Sequence, residues 1–149
     1  MNTKPLSTRE LKIWHAFKKV GETVFGLVVR DVSDATGLSA AEFGVLSRLE
    51  DLGDGELRQQ VLADSMGWHK SRLSHQITRM QERGFVERRS VELSSVTVAI
   101  SKRGRDILVA ARPIHAASVR RHLLDRLSPE QARMVLEIFA RLGDSTHTS

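Results

Sequence analysis

Between Lys70 and Arg79 the chain gathers Lys70, Ser71, Arg72, Ser74, His75, Thr78 and Arg79. Groups of this kind read base edges and hold phosphates: arginine pairs in a bidentate manner with guanine, and serine or threonine hydroxyls suit either a base edge or a phosphate oxygen. A helix over this stretch turns Leu73, Ile77 and Met80 to one side and Ser71, His75, Thr78 and Glu82 to the other, flanked by Arg72 and Arg79. Most charged helix faces are merely solvated, so the surroundings decide. From Trp68 to Arg89 there are six basic residues against two acidic ones, whereas Glu50 to Glu56 carries four acids and no base. The positive field therefore sits on the proposed groove-facing helix, with Arg88 and Arg89 beside it.

The neighbouring elements can position such a helix. Val61, Leu62 and Met66 mark a short helix stopped at Gly67, and the polar helix that follows stops at Gly84. Phe85 to Arg89 and Val96 to Ile100 read as two strands of a hairpin, the second with period-two alternation. Two helices joined by a tight turn and followed by a hairpin make a winged helix-turn-helix, with the second helix suited to the major groove. Trp68 in the turn reads as a packing residue that fixes the angle between the helices. His69 stands where a capping Asp or Ser is more usual, so the cap is weak.

Outside this core, Ser7 with Glu10 forms a capping-box pattern before Leu11, Trp14, Phe17, Val24, Phe25, Val28 and Val32, a long stripe at helical spacing. Ser39 with Glu42 opens a second helix whose inward side is Phe43, Leu46 and Leu49, ended by Gly53 and Gly55. Ser101 caps a long helix running towards Leu127, with a kink or break expected near Arg112 because Pro113 lacks a backbone donor. Ser128, Pro129 and Gln131 start a last helix with Val135, Leu136, Phe139 and Leu142 on its apolar side, and Gly143 to Ser149 reads as a frayed polar tail. The fold class is mainly α with a small β wing (α+β). Residues 1–38 form an N-terminal helix, 39–100 the winged helix-turn-helix and 101–149 the C-terminal helices. The terminal helices either fold back on the same core or interdigitate with a second copy. Stripes this long at both chain ends favour a two-fold dimer, with its two recognition helices about one DNA turn apart.

Composition narrows the function classes. The chain has 149 residues, 40% of them apolar and 28% charged, a net charge of +5 and no cysteine. No apolar run approaches the roughly 20 residues needed to cross a bilayer. Residues 1–10 lack the apolar core of a secretory signal, and a cytoplasmic protein without disulfides is expected. An enzyme is not indicated: there is no Gly-rich phosphate loop, no Gly-x-Ser-x-Gly elbow and no cysteine nucleophile. His115 and His122 share a helix face but lie two turns apart, too far to chelate one ion unaided. No metal or cofactor is expected.

The order of these segments resembles the MarR family of multiple-antibiotic-resistance regulators. The resemblance rests on SAAEFGVL from Ser39 to Leu46, VLADSMG from Val61 to Gly67, KSRLSHQI from Lys70 to Ile77, RGFVER from Arg83 to Arg88 and ISKRG from Ile100 to Gly104. It implies a homodimeric transcription regulator, more often a repressor, that binds double-stranded DNA at a pseudo-palindromic operator and is released by a small aromatic or lipophilic ligand. In the family such ligands bind between the dimer helices and the winged domain, which makes Trp14, His15, Phe17 and Phe43 the candidate contacts, though an aromatic stripe at helical spacing is more often core. One departure stands out. Family members carry an acidic residue and an arginine at the wing tip, where this chain has Glu92-Leu93-Ser94-Ser95. Without that arginine, Arg88 and Arg89 at the wing base are the expected phosphate contacts. A winged-helix interaction module that dimerises but has lost specific DNA binding is the alternative.

Overall fold

The computed structural model describes residues 4–92 and 95–143. Helix α1 (Thr8–Thr36) and α2 (Ala40–Gly53) precede a short strand β1 (Glu56–Arg58), then α3 (Gln59–Met66) and α4 (Lys70–Glu82), strands β2 (Val86–Glu92) and β3 (Ser95–Ile100), α5 (Lys102–His122) and α6 (Pro129–Gly143). A 3₁₀ turn at Leu124–Arg126 separates the last two helices. Among the described residues no helix is long and apolar enough to cross a membrane.

Local capping chemistry sets many of these boundaries. Ser39 Oγ accepts from Glu42 N at 3.1 Å while Glu42 Oε2 accepts from Ser39 N at 2.9 Å, a complete capping box at the start of α2. Reciprocal bonds of the same kind join Ser7 with Glu10 and Ser128 with Gln131. Ser101 Oγ accepts from Gly104 N at 3.0 Å and donates to Gly84 O at 2.6 Å, so one hydroxyl caps α5 and fastens it to the end of α4. Gly104 cannot be replaced without cost, because a Cβ there would sit 2.1 Å from Phe85 O.

The chain divides into two compact units, one of residues 1–28 with 116–149 and one of residues 29–115. In the second unit the sheet order is β1-β3-β2, antiparallel throughout, with Leu57 opposite Val98 and Arg88 opposite Val98 on its other side. Val45, Leu46 and Leu49 of α2, Leu62 of α3, Leu73, Ile77 and Met80 of α4, Phe85 and Val86, Val98, and Leu108 and Ala111 of α5 form its buried core. Val45, Leu73 and Ile77 are fully inaccessible. Glu42 is buried with them and accepts from Arg83 at 2.6 and 2.7 Å, which ties the end of α4 to the start of α2. Asp51 accepts from Arg112, and Glu50 lies 3.4 Å from Arg105, two links between α2 and α5.

In the first unit most of the apolar stripe is exposed. Leu11, Trp14, Phe17 and Phe25 on α1, and Met134, Leu136, Ile138, Phe139 and Leu142 on α6, all lie open to solvent in the single chain. Trp14 stacks near Phe17, and Phe17 meets Phe139 edge-on with ring centres 6.5 Å apart.

The structure departs from the sequence reading in three places. Helix α5 is continuous through Pro113, so of the expected kink or break near Arg112 the break does not occur. A proline forfeits one helical hydrogen bond, and here Leu108 and Ala111 are buried in the core while Ile114 packs against it. Helix α5 also ends at His122, before Leu127. Finally, the wing sheet has a third strand, β1, at Glu56–Arg58, for which the sequence reading named no element. The expected wing-tip residues Leu93 and Ser94, and the polar tail at 144–149, lie outside the described residues.

Candidate nucleic-acid interface

Helix α4 is built to show one face. Leu73, Ile77 and Met80 are buried, and Gln76 with them, whereas Lys70, Ser71, Arg72, His75, Thr78 and Arg79 are exposed and Ser74 is half-buried. The turn that presents this face is tight. Gly67 takes a left-handed φ of +64° at the end of α3, and Trp68 N donates to Ala63 O at 3.0 Å, closing the helix so that α4 starts at Lys70. His69 occupies the N-cap and its side chain makes no capping bond, as expected.

Several of the side chains expected at the interface are tethered. Trp68 is half-buried against the core, and the Arg72 guanidinium lies over its ring at 4.0 Å from the centre, a cation–π contact that limits where Arg72 points. Arg79 donates to the Oε1 of Gln76, whose side chain is buried in the same helix. Both guanidiniums remain exposed along one edge of α4.

Arg88 and Arg89 are arranged differently. The Arg88 side chain, half-buried on β2, reaches across to α4 and α3: Nη2 donates to Ser74 O at 2.6 Å and to Ser74 Oγ at 3.2 Å, Nη1 donates to Thr78 Oγ1 at 3.0 Å, and Nε donates to Gln59 Oε1 at 3.2 Å. Thr78 Oγ1 in turn donates to Ser74 O at 3.1 Å. Ser74, Thr78 and Arg88 are thus one network. Arg89 is exposed but lies between two carboxylates, donating to Glu56 at 3.1 Å and sitting 3.7 Å from Glu87. Glu56 also accepts from Thr97 Oγ1 at 2.6 Å.

Arg58, Gln59, Gln60 and Lys70, with Ser95 and Val96, line a shallow groove of about 400 Å³ where β1, α3, α4 and β3 meet. Of these only Lys70 was singled out from the sequence. The polar run Arg58-Gln59-Gln60 immediately before Val61 was the available signal, since polar residues at the mouth of a helix-turn-helix sit beside the groove-facing helix.

Of the candidate ligand contacts, Trp14, His15 and Phe17 belong to the unit of residues 1–28 and 116–149, where all three are exposed. Lys18 lies over the Trp14 ring at 5.6 Å. Phe43 belongs to the other unit, half-buried and stacked on His115 with ring centres 4.8 Å apart. Among the described residues no cluster of three or more His, Asp or Glu side chains is placed to hold a metal ion.

Residues 36–93 match the model of the MarR family. The fold is shared with AbsC, a MarR family transcriptional regulator from Streptomyces coelicolor, at 28% identity and a TM-score of 0.88, covering 97% of this chain and 98% of that one. It is shared also with Sco3205, a MarR family regulator of the same organism solved in complex with DNA, at 24% identity and a TM-score of 0.89, covering 98% and 93% of the two chains. BpsR of Bordetella bronchiseptica, whose DNA binding is regulated by 6-hydroxynicotinic acid, is 17% identical with a TM-score of 0.76, covering 95% of this chain and 99% of BpsR. No curated protein sequence matches.

Proposed function

We propose that the chain is a MarR-type regulator, a homodimeric repressor that reads a pseudo-palindromic operator through residues 70–79; residues 36–93 match the MarR family model, and the fold is that of solved MarR family regulators. The observation that carries this is the division of α4 into a buried apolar face and an exposed face holding Lys70, Arg72 and Arg79, delivered by a tight left-handed turn. Bare helices do not need such a turn, and two of the three cations are oriented by their guanidiniums, Arg72 over Trp68 and Arg79 by Gln76. Docked in a major groove, the exposed face offers donors to guanine edges and phosphates, while the hairpin approaches the flanking backbone.

The exposed apolar stripes of α1 and α6 supply the dimer contact, since contiguous apolar surface of this extent on helices marks a protein interface. Two-fold symmetry then presents two copies of α4 to successive turns of DNA. The regulating ligand is a small aromatic or lipophilic acid, the class to which the effector of BpsR belongs. Its candidate contacts are those read from the sequence, Trp14, His15, Phe17 and Phe43. Binding works by favouring a spacing of the two α4 helices that no longer matches the operator.

Fluorescence anisotropy against the DNA upstream of its own gene and a scrambled duplex, over a series of salt concentrations, tests this. Tighter binding to the upstream fragment with a steep salt dependence supports sequence-specific regulation. Equal, weak binding to both duplexes favours a dimerising interaction module instead.

A further inference from the structure

Arg88 stands apart from the other basic residues around α4. Its guanidinium makes hydrogen bonds to three residues on two other elements: Gln59 at the start of α3, and Ser74 and Thr78 in the middle of α4. A phosphate contact needs the head group turned out to solvent, and here all three of its nitrogens are engaged within the fold. The planar fork suits this geometry because two parallel edges can grip a carbonyl and two hydroxyls at once, which a lysine ammonium cannot do.

We propose that Arg88 is a positioning residue for DNA reading: from the base of the wing it locks the rotation of α4 and sets the direction of the Ser74 hydroxyl proton. This rests on the reading of α4 as the helix that enters the major groove. Ser74 Oγ accepts from Arg88 Nη2, so its own proton points away from the guanidinium and is left to donate to a base edge or a phosphate oxygen. The Thr78 hydroxyl is committed twice, donating to Ser74 O and accepting from Arg88 Nη1. Thr78 is therefore a part of the brace and Ser74 its outlet. The same bonds fix the wing strand to α4, so that the helix face and the hairpin approach DNA as one rigid surface. Sequence discrimination depends on that registration; non-specific attraction, which depends only on net charge, does not.

The two roles separate experimentally. A duplex is first selected from a random pool by the wild-type protein. Failure to enrich any sequence overturns the DNA-reading role of α4, and the positioning role with it, before any variant is made. With a selected duplex in hand, Arg88→Lys keeps the charge and loses the fork. The expected result is a fall of at least tenfold in the ratio of affinities for selected and scrambled duplexes, with the salt slope unchanged. The proposal is overturned if Arg88→Lys keeps the ratio while Arg88→Gln weakens both duplexes equally and makes the salt slope shallower by about one per protomer, the signature of a lost phosphate contact. Should both variants unfold, the wild-type protein still decides. By nitrogen-15 NMR, the Arg88 Nε–H signal is expected to be protected from exchange in the free protein and to stay in place when the selected duplex is added. A large shift on binding sinks the positioning role.

Discussion

Replacing Glu42 by alanine is the most direct test of how α4 is held. The carboxylate is 6% exposed and serves two partners at once: it accepts from Ser39 N as half of a capping box and takes both bonds from Arg83 Nη1 at 2.6 and 2.7 Å. Losing the cap costs about 1 kcal/mol. Losing a charge-assisted pair costs about 1.5–3 kcal/mol, and the lower end applies because the Arg83 side chain is 45% exposed and can turn to water. Glu42→Ala should therefore destabilise the fold by about 2.5 kcal/mol, and Glu42→Gln, which keeps one acceptor oxygen, by about half of that. Urea unfolding at one fixed protein concentration measures both, with concentration held constant because an associating protein's stability depends on it. A cycle with Arg83→Ala should return a coupling of about 1–2 kcal/mol. If Glu42→Ala costs less than about 1 kcal/mol, or if the two substitutions act additively, the pair does not hold the end of α4 to α2 and the reasoning fails.

Gly104→Ala should destabilise by about 3 kcal/mol or more, read as a lowered melting temperature, because its Cβ would meet Phe85 O at 2.1 Å and backbone must move; an unchanged melt refutes it. Trp68→Leu keeps an apolar packing group but removes the ring beneath Arg72, and the ratio of affinities for operator and scrambled DNA should drop roughly two- to fivefold. Phe25→Glu and Leu136→Glu, each at an exposed apolar position, should convert a dimer to monomer in sedimentation experiments, and a dimer that survives both is evidence against the terminal-helix interface. With Lys70, Arg72 and Arg79 as the phosphate-facing cations of each protomer, the logarithmic salt slope of a dimer should be about −5, whereas adding Arg88 and Arg89 to the contact set would steepen it to about −9.

What was legible in the sequence was mostly local. Four helix starts at Ser7, Ser39, Ser101 and Ser128 announce themselves because a capping side chain and its partner lie three residues apart, and all four make the expected bonds. The buried face of α4 follows from the spacing of Leu73, Ile77 and Met80. Strand β1 was not legible: three residues show no periodicity, and their only reason to be extended is the pairing of Glu56, Leu57 and Arg58 with Ala99, Val98 and Thr97, some forty residues on. The break that Pro113 suggested is absent for the opposite reason, since a strong local signal was outweighed by packing on both sides of it. The partners of Arg88 are likewise set by the fold, because Ser74 and Thr78 lie on another element and nothing in the spacing of residues 74, 78 and 88 links them.

The charge distribution then takes on a finer meaning. Six basic residues crowd the stretch from Trp68 to Arg89, and counted as equals they suggest a broad cationic surface. The structure divides them. Arg83 closes on Glu42, Arg88 on Ser74, Thr78 and Gln59, and Arg89 on Glu56 and Glu87, so three of the six are bound to other parts of the protein. Arg83 is tied at the end of α4, Arg88 along its wing side, and Arg89 between β1 and β2, while Lys70, Arg72 and Arg79 remain on the exposed face of α4. Two of the six thus hold the helix, one holds the wing sheet, and three keep an exposed place on α4. A helix held by multiply bonded arginines keeps its angle when DNA approaches, and a fixed angle converts a few well-aimed side chains into sequence preference. On the proposed DNA-reading role, a wing tip without arginine is compatible with specific binding if discrimination rests with α4 and the wing serves, through Arg88, to hold that helix.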